Sequence, residues 1–160
     1  MNFKPVVLIY NPDHAVVDDC GQLLGATDKY TTINTYNETN AIEALSQYNR
    51  GFGMLTNKLA CIVTGWNSYK TRRDQLLFQI RAQEARSPLR KPTPVIIITE
   101  DHLQELKEIA LDPTDGNVAA YLHVDDFKTS IVECLDKIIF QGKAQELNAI
   151  AFAQVQREEA

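Results

Sequence analysis

Apolar positions along the chain fall into short solid runs, separated by stretches in which apolar residues recur every three to four positions. The run Val6–Tyr10 is apolar throughout and closed by Asn11-Pro12, as expected of a strand buried on both faces and ended by a residue without a backbone donor. Residues 15–26 place Val16, Val17, Cys20, Leu23 and Leu24 at helical spacing, with Gly25 as the stop signal. Residues 31–36 are β-branched and aromatic, a short strand. Asn40 follows with Glu43 three positions on, a capping box that predicts a helix to about Asn49. A second solid run covers 59–63. Residues 72–86 read as a helix through Leu76, Leu77 and Ile80, ending before Pro88, and 93–99 is the most strand-like segment, with Pro94 tolerated near its start. An amphipathic helix over 102–111 is stopped by Asp112-Pro113. A short strand over 118–122 and a helix over 127–140, carried by Ile131, Leu135, Ile138 and Ile139, complete the alternation.

Five strands alternating with five helices, with strands apolar on both faces, predict an α/β fold: a parallel sheet covered by helices on both sides. Right-handed crossovers leave few topologies, and at this size the flavodoxin-like order 2-1-3-4-5 is the expected one. Ligands in such folds sit beyond the carboxyl ends of the strands. That rule singles out Asn11-Pro12-Asp13, Thr64-Gly65-Trp66-Asn67, Thr99-Glu100-Asp101 and His123-Val124-Asp125-Asp126. Residues 1–140 form the predicted domain and 141–160 a helical extension with Leu147, Ile150, Ala151 and Val155 on one stripe. A lone helix of this length is marginal in water, so it is expected to dock on the domain, on a second copy or on a partner. The preferred expectation is a homodimer through 127–158, and continuing the fifth helix through Gly142 would cost only about 1 kcal/mol.

The 160 residues, 44% hydrophobic and 23% charged, suit one globular domain with an added arm. The longest apolar stretches are far shorter than the roughly 18 residues that span a bilayer, and no signal-peptide pattern opens the chain, so a cytoplasmic protein without a membrane partner is expected. Cys20, Cys61 and Cys134 are widely spaced, form no CxxC and read as reduced, buried thiols. The net charge of −5 conceals a segregation. Between positions 44 and 91 stand Arg50, Lys58, Lys70, Arg72, Arg73, Arg81, Arg86, Arg90 and Lys91 against only Asp74 and Glu84. A basic interaction face containing Lys70, Arg72, Arg73 and Arg81 is therefore a candidate on an otherwise acidic body.

Several chemistries find no support. No GxGxxG or GxxxxGK[ST] follows a strand, and no nucleophile elbow is present. His14, His102 and His123 lack a serine or cysteine partner at a strand end, and although His14 and His102 neighbour Asp13 and Asp101, nothing fixes a metal geometry. No enzyme activity, cofactor or metal is expected. Only about one helix follows Phe140, too little chain for a helix-turn-helix, so a nucleic-acid partner is not expected either.

In order and spacing, segment 6–24, the stretch Cys61-Ile62-Val63-Thr64-Gly65-Trp66-Asn67, the strand Thr93-Pro94-Val95-Ile96-Ile97-Ile98-Thr99 and segment 116–139 resemble the response-regulator receiver domain of two-component signalling. The resemblance covers about residues 4–140. It implies a site in which two acidic groups after the first strand and an aspartate after the third hold Mg²⁺, the aspartate accepts a phosphoryl group, and a lysine after the fifth strand balances its charge. By resemblance the acidic pair falls on Asn11 and Pro12, the acceptor on Gly65 and the lysine on Val124, with Asp125 where the family usually has proline. Thr99, the hydroxyl residue that contacts the phosphoryl group, and Tyr121, the aromatic residue of the output switch, match. No register slip recovers an acceptor, because positions 44 to 73 contain no Asp or Glu. Asp13 survives beside the first strand, and Trp66 follows the acceptor position as packing, lid or interface anchor. The expectation is a degenerate receiver acting as a phosphorylation-independent module that binds a signalling protein. Two alternatives are a receiver phosphorylated on Asp13 or Asp101, and a domain sensing a small anion or cofactor; an unrelated flavodoxin-like enzyme is a third.

Overall fold

The solid apolar runs become the interior strands of a single sheet. The computed structural model describes residues 4–49, 59–66, 75–86, 91–101 and 103–159. Strands β1 (Val6–Tyr10), β2 (Thr31–Thr35), β3 (Leu59–Thr64), β4 (Val95–Thr99) and β5 (Ala120–His123) pair in parallel in the order β2-β1-β3-β4-β5. This is the flavodoxin-like arrangement, and the register sets Tyr10 beside Thr35 and Thr99 beside His123. β1 and β4 are buried along their whole length, whereas the edge strand β2 is buried only at Thr35.

Side chains alternate across the sheet and divide the core in two. Leu8, Tyr10, Ile62, Val95 and Ile97 face Leu45, Leu77, Ile80 and Leu106 from helices α2 (Glu38–Asn49), α3 (Gln75–Ala85) and α4 (Gln104–Leu111). Val7, Ile9, Cys61, Val63, Ile96 and Ile98 face Val17, Cys20, Leu24, Ile131 and Leu135 from α1 (His14–Ala26) and α5 (Ile131–Ile139). Cys20 and Cys61 are buried free thiols within this second layer, and Cys134 is half-buried at its rim. Burial pushes all three thiols up, away from the reactive thiolate.

Helix ends differ from the sequence expectation in instructive ways. Gly25 lies inside α1, and the chain turns instead at Asp28, whose φ of 57° lies in the left-handed region that a short polar side chain tolerates. Helix α2 opens at Glu38, and the residue that caps it lies three positions before the expected cap. Asn37 accepts the amide of Asn40 at 2.8 Å, so Asn40 lies within the helix rather than capping it. The fifth helix starts at Ile131, after a 3₁₀ turn over Phe127–Thr129. It ends at Ile139 and does not run through Gly142, which sits at φ 64° while Lys143 donates to the Lys137 carbonyl at 3.0 Å. This left-handed stop is the normal role of glycine just past a helix.

Helix α6 (Ala144–Glu159) folds back onto its own domain along the β5 side of the sheet. Ala144 and Leu147 pack against the α1/α5 layer, while Ala151, Phe152 and Val155 pack against the α2/α3/α4 layer. Between them Asn148, 4% exposed, donates to the carbonyls of Leu111 at 2.8 Å and Val118 at 2.7 Å. Gln104, at the start of α4, donates to the Val155 carbonyl at 3.0 Å, so α6 runs antiparallel to α4. No described helix is long and apolar enough to cross a membrane.

Candidate functional site

The carboxyl ends of β1, β3, β4 and β5 bring Asn11, Gly65, Thr99 and His123 to one edge of the sheet. Asn11, the first residue beyond β1, is 4% exposed. Its Nδ2 donates to the Ile98 carbonyl at 2.9 Å, and its Oδ1 accepts the Asp13 amide at 3.0 Å. The side chain therefore bridges β1 to β4 over the end of the intervening β3. Pro12 supplies no donor and turns the chain into α1, where Asp13 caps the helix by accepting the Ala15 amide at 3.0 Å.

Gly65 stands directly beneath that bridge. A Cβ at this position would lie 2.9 Å from Asn11 Nδ2 and 2.9 Å from Pro12 Cδ, closer than real Cβ contacts allow. The close approach is why the position after β3 carries no side chain. Trp66 turns inward. It is 6% exposed and meets Phe78 of α3 edge-on at 6.4 Å between ring centroids. Its indole Nε1 is buried without a hydrogen-bond partner among the described residues. Of the roles open to Trp66 in the sequence, core packing is the one its position serves.

Beyond β4, Thr99 Oγ1 accepts the Asp101 amide at 3.1 Å, and Asp101 Oδ1 accepts the Leu103 amide at 3.0 Å ahead of α4. The Thr99 carbonyl accepts the amide of Val124, the half-buried residue at the lysine-equivalent position. Asp125 is exposed and lies 3.2 Å from His123 Nδ1. Tyr121 points in: its hydroxyl donates to the Asp101 carbonyl at 2.8 Å, and Lys107 Nζ stands 5.9 Å from the ring centroid. Burial, with the nearby Asp101 charge adding to it, pushes the phenol well above its ordinary value and keeps it a neutral donor.

Of the predicted basic face, the structure describes Arg81 alone. Lys70, Arg72 and Arg73 lie outside the described residues, as does His102. Arg81 is consumed internally. Its Nε donates to the Gly116 carbonyl at 2.8 Å, its Nη1 to the Thr93 carbonyl and to Glu84 at 2.9 Å, and its Nη2 to the Asn117 carbonyl at 3.2 Å. This guanidinium ties α3 to the segments that enter β4 and β5. His14 Nε2 is 3.1 Å from the Tyr36 carbonyl, and among the described residues no group of three or more His, Cys, Asp or Glu is placed to hold a metal.

Two structurally central polar residues, Asn148 and Gln104, escaped the sequence reading. The available signal was a lone asparagine inside the apolar stripe of the extension.

No family model and no curated protein matches the sequence. Solved structures do match. The RcsB response regulator of Salmonella typhimurium, 14% identical, superposes with a TM-score of 0.66 over 98% of this chain and 69% of its own. A response regulator from Thermotoga maritima, 16% identical, gives 0.62 over 86% of this chain and 99% of its own. The signal receiver domain of the response regulator NarL from Mycobacterium tuberculosis, 14% identical, gives 0.58 over 84% and 98%. The likeness at these identities is one of architecture: the chain has the fold of a response-regulator receiver domain.

Proposed function

We propose that this chain is a degenerate receiver of two-component signalling, a module that binds a signalling protein without being phosphorylated and without acting as an enzyme. The observation that carries this reading is the closure over Gly65. Where a receiver places its acceptor carboxylate, Asn11 and Pro12 leave no room even for a Cβ. The residues present do not suit Mg²⁺, which favours anionic oxygens. Asn11 offers a neutral amide already engaged at both ends, and Pro12 and Gly65 offer no side-chain oxygen. The lysine-equivalent Val124 supplies no charge, and Tyr121 is held inward by the β4–α4 loop. Without a phosphoryl switch, output rests on a surface that is always displayed.

Incubation with acetyl phosphate and Mg²⁺ followed by intact-mass measurement tests this. No gain of a phosphoryl group is expected, nor a rise in melting temperature with phosphate. Asp13 and Asp101 already accept the Ala15 and Leu103 amides. A stoichiometric phosphoryl gain that disappears on substitution of Asp13 or Asp101 overturns the proposal.

A further inference from the structure

We propose that the α4–β5 face is a helix-docking surface whose occupant can be exchanged, and that a second copy's α6 fills it in a reciprocal dimer. The face already holds a helix. Asn148 supplies two directional bonds at the Leu111 and Val118 carbonyls, Val155 and Phe152 supply apolar contact, and Gln104 closes the far end. Those contacts specify an α6 sequence, and any copy of this chain provides one.

The hinge that decides which copy provides it is short, and open at its glycine. Only Phe140, Gln141, Gly142 and Lys143 separate α5 from α6, and the reversal centres on Gly142 at φ 64°, around which no atom lies within 4 Å of a Cβ position. Right-handed geometry at this position costs glycine's modest helix penalty and the Lys143 amide's bond to the Lys137 carbonyl, and no side-chain clash opposes it. Were Gly142 to adopt it, α5 and α6 would merge into one rod and carry α6 away from its own domain. Because α6 runs antiparallel to α4, and α5 follows a strand parallel to all the others, the straightened rod reaches an inverted second copy. The two copies are then related by a two-fold axis, each lending α6 to the other. Every α4–β5 contact is retained in the exchange, so the balance is set by the hinge and by protein concentration.

The Gly142→Ala variant tests the hinge alone, since an alanine methyl meets no neighbour there but is disfavoured in the left-handed region. The penalty is roughly tenfold per hinge. Two hinges open per dimer, so the dimer dissociation constant is expected to fall by about 100-fold, read by sedimentation velocity across a concentration series. Gly142→Asn, which tolerates the left-handed conformation, is expected to behave as the parent chain. To show which α6 is docked, Gln104→Cys and Glu158→Cys, whose parent side chains meet at 3.4 Å, are joined by a short bis-maleimide in a Cys134→Ser background. Cross-links between chains in the Gly142→Ala dimer support the proposal. A folded Gly142→Ala protein that stays monomeric throughout overturns it, as does a dimer cross-linked only within chains, or equal dimerisation of the Ala and Asn variants.

Discussion

The side-chain amide of Asn11 on β1 donates to the carbonyl of Ile98 on β4 at 2.9 Å, passing over the end of β3. That reach is open only because the residue after β3 is glycine, and it ties the ends of β1 and β4 together across β3.

The bridge and the glycine should therefore be energetically coupled. Gly65→Ala is expected to destabilise by about 1–3 kcal/mol through forced displacement of Asn11 and Pro12. Asn11→Ala should cost about 1–3 kcal/mol by leaving the buried Ile98 carbonyl without its donor. Because the smaller residue at 11 makes room at 65, the double variant should be more stable than the sum of the two, by about 0.5–3 kcal/mol. Urea denaturation of the four proteins measures this, and strict additivity would mean that Asn11 does not close the site.

Asn148 is the polar lock of α6. Asn148→Ala should cost about 2–4 kcal/mol, because two buried carbonyls lose their donor at once. Asn148→Asp should cost more, since a carboxylate would face the Leu111 and Val118 oxygens. Equilibrium unfolding followed by circular dichroism gives the order, and equal stability of Asn, Ala and Asp at 148 would contradict the assigned bonds.

These residues mark where sequence reading succeeds and stops. Strands β1, β3 and β4 announce themselves because a strand buried on both faces needs an unbroken apolar run, and their alternation with helices fixes the topology. The position of the site at the strand ends follows from that topology. Helix starts are less legible: Asn37 and Asn40 are the same residue type three positions apart, and tertiary packing selects the earlier one. Turn chemistry misled at Gly25, where Asp28 makes the reversal. The Asn11 bridge spans 87 positions and the Asn148 bonds span 37 and 30, so no local pattern encodes them. Arg81 read as part of a charged face because its three carbonyl partners are remote in sequence, although its pairing with Glu84 at i+3 is local.

Arg81 should behave as a buried fork rather than a surface charge. The side chains of Arg81 and Glu84 are only 12% and 11% exposed. Arg81→Ala leaves Glu84 uncompensated and is expected to destabilise by about 3–5 kcal/mol. Arg81→Lys keeps the charge but cannot span the carbonyls of Thr93, Gly116 and Asn117, so it should recover only part of that loss. Thermal and urea unfolding read both variants, and a loss under 0.5 kcal/mol, roughly the surface-substitution range, would return Arg81 to the surface face.

A carboxylate–phenol pair links the start of β2 to α5. Hydrogen bonds from Lys29 and from Tyr30 hold Asp136 below its ordinary 3.8, while burial and the Asp136 bond raise Tyr30 above its ordinary 10.0. A depressed carboxylate contributes stability that is complete above its unfolded value and is lost as pH falls through its folded one, so the acid loss begins near pH 4 and continues below it. A raised phenol contributes stability that is complete below its unfolded value and is lost as pH climbs from about 10 upward. Asp136→Asn should flatten the acid limb and weaken the alkaline one. Unfolding free energy measured from pH 2.5 to 11 checks both limbs, and an unchanged acid slope in Asp136→Asn would remove Asp136 from the account.

Helix α6 lies along one of the two lateral borders of the sheet, the one that ends in β5. Backbone groups on an uncovered border recruit extended segments from other chains, the first step toward uncontrolled aggregation. With α6 beside β5, the other border among the described residues is the five residues of β2, Thr31–Thr35. A chain whose C-terminal helix has come away would present a second such border, so keeping that helix docked, on its own domain or on a twin, also guards solubility.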